Sequence, residues 1–422
     1  MMPNLTVSRE ELGACFAAGV FLHLAVFRYG EWDAHSFTLL EVAAFVKAVL
    51  SLFVYEVLAE STIDSIQHVM FWVSAAIVGL FSTLRDYEAR VAAYTDELLC
   101  AVDRPKGQKL DVSKWFNYYS FDIMGDLAFG NSFNMLKDGK DSYFLSTTHT
   151  NMVLIGIFSA TIGRWEYQRF QRFVRGLVRT RIENEPHVPD VFHWILSDYN
   201  TNHKPTWQDK ENLVGDASLI VVAGSDTTAA TLTCLFYHFA LHPEVYKKLQ
   251  KEVDDFFANE ATSDDWESSS LGKLQYLQAV IDESLRLFPP VASGLQRQTP
   301  PQGVQIGDRW IPGNTIVMTP TYTLCRDPRT FPRGDEFIPE RWTTQRELVK
   351  DATPNAPFSV GRFSCVGKQL GLNEVRRVTA LIAHRYNVAL APGQTKEAFL
   401  SGIRDNFTLA TPKLELTFSR RS

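Results

Sequence analysis

The chain opens with three closely spaced apolar runs, over about 12–27, 37–59 and 69–84. A membrane-spanning helix takes roughly 20 mostly apolar residues. The first and third runs are short. The second contains Glu41, Lys47 and Glu56, which are costly in lipid. The pattern fits either buried core helices or at least one segment that spans or lies in a membrane, and the membrane reading is the expectation here. No small-residue cleavage site follows, so the stretch does not read as a cleaved leader. Arg85 and Arg90 directly after the third run put the rest of the chain on the cytosolic side. Residues 1–84 are therefore expected to form an anchor region and 85–422 a catalytic domain.

Beyond residue 85 the pattern becomes that of a soluble protein. Apolar positions recur at helical spacing in "LRDYEARVAAYTDELLCAV" and "SKWFNYYSFDIMGDLAFG". "YQRFQRFVRGLVRTRIENEP" predicts a basic amphipathic helix stopped by Pro186, its charges either solvated or facing anionic lipid. "DKENLVGDASLIVVAGSDTTAATLTCLFYHFALHPEV" predicts a long helix ending before Pro243, and a helix so apolar all round belongs at the centre of a fold. "PEVYKKLQKEVDDFF" and "LGKLQYLQAVIDESLRLFPP" predict two more helices. Between 291 and 325 the pattern shifts to short strand-like pieces, "GVQIG" and "RWIPGNTIVM", with Gly and Pro turns. Residues 326–364 read as coil, a last helix starts near Val366, and "FTLATPKLELTFS" reads as a hairpin. The fold class is mainly α with a small β portion.

Composition narrows the function. The 422 residues are 45% hydrophobic and 12% aromatic, enough for a substantial core. The formal net charge of -6 argues against a nucleic-acid partner, which calls for a basic face. Cys15, Cys100, Cys234, Cys325 and Cys365 are scattered and odd in number. They fit a reducing compartment and neither a disulfide framework nor a structural zinc site.

Three motifs point to chemistry. Cys365 lies in "PFSVGRFSCVGK", immediately before a helical pattern. A helix N-terminus favours thiolate over thiol. Gly361 and Gly367 let the backbone turn tightly and approach something flat and bulky, and Phe358 can pack beside the sulfur. An incidental cysteine in a structural loop would give the same local pattern. In "ESLR", Glu283 and Arg286 are one helical turn apart, and "FIPERW" supplies Arg341 from a coil. A carboxylate accepting from two guanidiniums would fasten that coil to the helix. In "AGSDTT", Asp226 and Thr227 interrupt a very apolar helix, where their side chains compete for backbone bonds. The small pair Ala223 and Gly224 opens a groove there for a ligand; a locally bent helix with satisfied polar groups is the alternative.

In this order the motifs resemble the cytochrome P450 family of haem-thiolate monooxygenases. The oxygen-activation motif matches Ala223 to Thr228, E-x-x-R matches Glu283 and Arg286, P-E-R-W matches Pro339 to Trp342, and F-x-x-G-x-x-x-C-x-G matches Phe358, Gly361, Cys365 and Gly367. The resemblance covers about 85–422 and is similar in wording to a fungal, membrane-bound branch used in secondary metabolism. It implies a cytochrome P450 fold behind N-terminal transmembrane helices. It implies haem b with the Cys365 thiolate as axial iron ligand, and proton delivery by Asp226 and Thr227. It makes Glu283, Arg286 and Arg341 structural. Arg297 falls where the family places a haem propionate partner. Val291, Ala292, Ser293 and Phe407, with Ala223 and Gly224, fall where members line the substrate pocket. The implied partners are an NADPH-cytochrome P450 reductase, a hydrophobic small molecule and the endoplasmic reticulum membrane.

The chain departs from the family pattern in three places, one of them a short stretch between "IGIFS" and "YQRFQRF" that would shrink the lid helices over the pocket. Phe363 stands where an arginine is usual, with Arg362 one residue earlier as a displaced propionate partner. The proline-rich hinge, the first sheet and the W-x-x-x-R helix expected between anchor and "LRDYE" are missing. The leading expectation is a monooxygenase inserting one oxygen atom of O2 into a hydrophobic small molecule. A haem-dependent rearrangement or dehydration is a second reading, and a membrane-resident, haem-poor remnant a third.

Overall fold

The computed structural model describes residues 87–104, 107–147, 162–184, 190–201, 206–260 and 268–421. The three apolar runs, and with them the expected anchor region 1–84, lie outside the described residues. The chain divides into two units, Met1–Ala89 and Arg90–Ser422. The elements below belong to the second, apart from the first residues of a helix over 87–103, α1.

The long apolar pattern folds as one helix, α5 (Trp207–Leu241). Thr206 and Asp209 close its N-terminus reciprocally: the Thr206 hydroxyl accepts from the Asp209 N–H, and the Asp209 carboxylate accepts from the Thr206 N–H. Pro243 prevents its continuation and opens α6 (Pro243–Glu260). Most of α5 is buried. Among the described residues it is the one helix long and apolar enough to cross a membrane, and its burial makes it a core element instead.

Helix α2 (Val112–Phe129) lies along α5. Asp111 caps its start by accepting from the Lys114 N–H, and Gly130, at φ 67°, ends it in the left-handed conformation. At Gly224 of α5 the missing side chain makes room for α2: a Cβ there would stand 2.6 Å from the Met124 sulfur. Phe116 and Phe236 pack at 5.2 Å across the same seam. Helices α7 (Gln275–Leu287) and α8 (Lys368–Arg385) also pack on α5. In α8, Gly371 faces Thr228, where a Cβ would stand at ordinary contact distance, 3.6 Å, from the hydroxyl.

The basic amphipathic helix forms as α3 (Ile162–Glu183). Its arginines find partners within the protein. Arg181 is buried and makes a two-pronged pair with Asp190 at 2.8 and 2.9 Å, Arg175 pairs with Glu211, and Arg169 lies over the Tyr143 ring. Asp190 thereby ties the end of α3 to the start of α4 (Val191–Thr201), a helix that the sequence pattern did not single out.

Among the described residues the β portion is a three-stranded sheet in the order β1 (Lys109–Asp111), β9 (Glu415–Arg420), β6 (Tyr386–Leu390), with three two-stranded pairs. Two of the pairs, β3 (Val304–Ile306) with β4 (Arg309–Ile311) and β2 (Arg297–Gln298) with β5 (Ile316–Val317), occupy the predicted strand region. The expected terminal hairpin does not form. Thr408–Ala410, β8, pairs backward with β7 (Arg404–Asn406), while β9 pairs with both β1 and β6. The reason is burial: Leu414, Leu416 and Phe418 alternate onto the core face, and that face is completed by β6 rather than by β8. Pro412 separates the two runs and lacks the N–H a ladder needs.

On α5, His238 is buried with neither ring nitrogen hydrogen-bonded. It stacks on Phe337 at 4.0 Å and 5°. Burial, with the charges of His242 and Arg286 adding, holds its pKa well below the ordinary histidine value. The unfolded chain therefore binds a proton near pH 6.5 that the folded chain refuses, so this group removes stability as pH falls through that value. A His238→Phe variant is expected to lose less stability than the wild type between pH 7.5 and 5.5, as read from urea midpoints at the two pH values.

Candidate active site

Two elements place the site: the coil over 326–364 and the helix α8 that follows it. The coil is held by one buried carboxylate. Glu283 of α7 accepts from the Arg286 guanidinium at 2.9 Å on both oxygens, from Arg341 Nε at 2.9 Å, from the Ile338 N–H at 2.9 Å and from Trp342 Nε1 at 3.0 Å. Arg286 spends its other N–H groups on the carbonyls of Cys325, Gly334 and Glu336. Arg341 does the same with those of Pro332, Leu348 and Arg333. All three charged side chains are fully buried. A buried charge costs several kcal/mol unless paired and hydrogen-bonded, and here each is. Trp342 and the Ile338 amide were not singled out from the sequence as members of this cluster.

The coil ends in a closed loop around Cys365. The Cys365 N–H donates to the Phe358 carbonyl at 2.7 Å. Gly361 sits at φ 73°, a conformation that asks for glycine. Gly367, expected to share that task, has φ −83° and serves as the N-cap of α8. Its missing side chain leaves ordinary contact distance, 3.9 Å, to the Cys365 sulfur. The N–H groups of Gly367 and Lys368 reach the sulfur and, with the Lys368 charge, favour thiolate. They do not win unaided: although the residue is exposed, its sulfur is desolvated enough that the thiol is raised above its ordinary range. A cation bound at the sulfur would reverse that balance.

Around the sulfur the loop presents apolar side chains outward. Val360 is 74%, Phe363 60% and Val366 87% exposed. Phe358 lies beneath the Lys368 ammonium at 5.8 Å. Arg297, on β2, approaches the loop: it donates to Ser359 at 3.4 Å, and its guanidinium lies 5.6 Å from the centre of the Phe363 ring. The aromatic that replaces the usual arginine is thus a shelf for a different arginine. Arg362 lies in the turn Gly361–Phe363, and its side chain is outside the described residues.

Across from the loop, α5 carries the second part of the site. α8 packs on α5, with Gly371 facing Thr228, which sets the loop relative to α5. Leu219, Ala223 and Thr227 stand at i, i+4, i+8 on one face of α5; Leu219 and Ala223 are exposed and Thr227 is half-buried. Ala223 is exposed as expected, whereas the space left by Gly224 is used by Met124 and not by a groove. Asp226 and Thr227 point different ways, as consecutive helical residues must. The Thr227 hydroxyl donates to the Ala223 carbonyl at 2.7 Å. Asp226 is buried and accepts from Thr408 at 3.2 Å.

The remaining predicted pocket residues fall on two turns. Ser293 is exposed and Val291 half-buried, but Ala292 is buried, its carbonyl taken by the Tyr322 N–H at 3.0 Å. Gly294 is what lets this turn lie flat: at φ 80°, a Cβ there would be 2.0 Å from the Thr319 carbonyl oxygen. Phe407 caps the β7–β8 hairpin with 59% exposure.

The comparisons with known proteins agree with this arrangement. The cytochrome P450 family model matches residues 72–418. The chain belongs to the cytochrome P450 family. It is 50% identical over 350 residues to the cytochrome P450 monooxygenase FCK2 of Fusarium pseudograminearum, covering 80% of this chain and 63% of that protein. It is 33% identical over 353 residues to the tryprostatin B 6-hydroxylase of Aspergillus fumigatus, covering 80% and 62%. Among solved structures it superposes on a cytochrome P450, CYP102L1, with a TM-score of 0.66 at 27% identity, covering 79% of this chain and 74% of that one. The chain thus spans about 63% of the length of the first of these relatives. The mainly helical cytochrome P450 fold is shown. The family implies a haem with a cysteine thiolate ligand.

The residues present fit such a group. Among the described residues no three His, Cys, Asp or Glu side chains gather at one place. A metal held by Cys365 therefore has to bring its other ligands with it, as a porphyrin does. An exposed sulfur framed by outward apolar side chains suits a flat apolar ring, and Arg297 supplies a cation for an anionic edge. Replacing Glu283 with Gln leaves two buried guanidiniums sharing a neutral partner. The expected loss is about 3–5 kcal/mol of folding stability, read as a lower midpoint in urea unfolding. A surface control such as Glu183→Gln, on an exposed i, i+4 pair, shifts it little.

Proposed function

We propose that this chain is a haem-thiolate monooxygenase acting on a hydrophobic small molecule in secondary metabolism. The observation that carries the reading is the Cys365 loop: its sulfur is exposed, its backbone closed by Phe358, and its coil clamped by buried Glu283, Arg286 and Arg341. Haem b would supply the oxygen chemistry, one atom of O2 entering a substrate C–H bond and the other leaving as water with two electrons and two protons. The electrons come from an NADPH-cytochrome P450 reductase.

The chain's own residues would do the following. Cys365 donates its sulfur to the iron, with the Gly367 and Lys368 N–H groups turned toward that atom. Arg297, steadied by the Phe363 ring and Ser359, holds the anionic edge, with Arg362 as a further cation. Phe358, Gly361 and Gly367 shape the loop. Thr227 holds a proton at its hydroxyl on the Ala223 face of α5, and Asp226 is its acidic neighbour. Leu219, Ala223, Val291, Ser293 and Phe407 meet the substrate. The anchor region 1–84 places the catalytic part at the cytosolic face of the endoplasmic reticulum. That one relative is a 6-hydroxylase supports hydroxylation as the reaction.

The wide exposure of Leu219 and Phe407 favours one other reading, in which the chain holds haem poorly and turns nothing over. A spectrum separates the two. Purified, reduced and treated with carbon monoxide, the wild type is expected to show the red-shifted Soret band of thiolate ligation. Cys365→Ser is expected to lose that band while keeping the wild-type urea midpoint to within about 1 kcal/mol, since the side chain is exposed. A wild type without haem supports the second reading.

A further inference from the structure

The hairpin β7–β8 is a small, isolated unit. Its register is Arg404↔Ala410, Asp405↔Leu409 and Asn406↔Thr408, and it belongs to no larger sheet. At its tip Phe407 has φ 74°, the left-handed region, and its ring is exposed. For a bulky residue that conformation is a genuine outlier, so the surroundings must enforce it.

The ties that enforce it lie on both sides of the tip. Before it, Ser293 donates to the Asp405 carboxylate. After it, the Leu409 N–H donates to the Pro290 carbonyl at 2.8 Å. Between them, on the residue next to Phe407, Thr408 donates to Asp226 of α5 at 3.2 Å, across 182 positions of sequence. Thr408 and Asp226 are both buried. The first two ties hold the hairpin to the 290–293 turn. The third ties it to the helix that carries Ala223 and Thr227, against which β8 also packs. Proton supply by itself gives Asp226 no reason to face a strained turn.

We propose that Asp226 is a positioning residue: through Thr408 it fixes the Phe407 tip relative to α5, and so sets the size and shape of substrate admitted beside that helix. The inference deepens the proposed function and rests on that reading for the word substrate. The hydrogen-bond relay itself stands on geometry.

The test uses the full chain and variants Thr408→Val, Thr408→Ser and Asp226→Ala. Amide hydrogen exchange over 404–410 needs no haem. Thr408→Val and Asp226→Ala are each expected to speed it about 3- to 10-fold, as loss of one hydrogen bond allows. The double variant should add little to either, and Thr408→Ser should behave as wild type. Exchange in β6 and β9 should not move. In the haem-loaded protein, binding of imidazole and of 4-phenylimidazole is then read from the Soret shift. Thr408→Val is expected to weaken the phenyl ligand by a similar factor and leave imidazole unchanged, because only the larger probe reaches the tip. Wild-type exchange in Thr408→Val overturns the proposal. So does an equal change for both ligands. Failure of the wild type to take up haem refutes the proposed function instead, and the exchange result still decides the role of Asp226.

Discussion

One carboxylate organises this half of the molecule. Glu283 sits in a fully buried position between two equally buried guanidiniums, an indole N–H and a backbone amide. Arg286 and Arg341 then reach outward to carbonyls spread along the coil from Cys325 to Leu348. A coil without regular structure has no ladder to satisfy its carbonyls. Here the guanidiniums do that work, and Glu283 keeps their charge affordable in a dry interior. The Cys365 loop is the far end of that coil, so the sulfur's place is set by an ion cluster that it does not touch.

The second constraint is α5. It gives one face to α2, where the missing side chain of Gly224 makes room for Met124, and another to α8, where Gly371 meets Thr228 at ordinary contact distance. Along one face Leu219 and Ala223 stay exposed and Thr227 half-buried. Helical geometry then separates two neighbouring polar residues. Thr227 stays on that face, while Asp226 turns into the protein and meets the C-terminal hairpin. A pair that reads as one unit in sequence thus serves two surfaces.

The apolar side chains that frame the site are exposed: Val360, Phe363 and Val366 on the loop, Phe407 on the hairpin. Soluble proteins rarely leave such groups together in water without a reason. A flat hydrophobic cofactor and a greasy substrate are reasons of the right shape. Phe363, in place of a customary arginine, gives Arg297 a ring to rest on.

Much was legible in the sequence because it depended on local pattern. The helical periods of α2, α3, α5, α6, α7 and α8, the Pro243 stop, and the strand-like region after 291 follow from neighbours a few residues apart. The motifs around Cys365, Glu283 with Arg286, and Asp226 with Thr227 were visible because fixed spacings carry fixed chemistry, and the ordering of those motifs carried the family. Tertiary structure decided the rest. The chain's end became the middle strand of a sheet and not a hairpin, because β1 and β6 offered it partners some 300 and 30 positions away in sequence, as the Leu110↔Leu416 and Val388↔Phe418 pairs show. Gly361, not Gly367, needed a left-handed turn, and Gly224 served a methionine rather than a ligand. Thr408 has no local feature that marks it, and its role comes from a helix 182 residues earlier. Periodicity and spacing report what a residue can do with its near neighbours. Which distant surface it meets is fixed only when the chain closes on itself, since the energy of burial and of hydrogen-bond pairing is then shared between groups that the sequence keeps far apart.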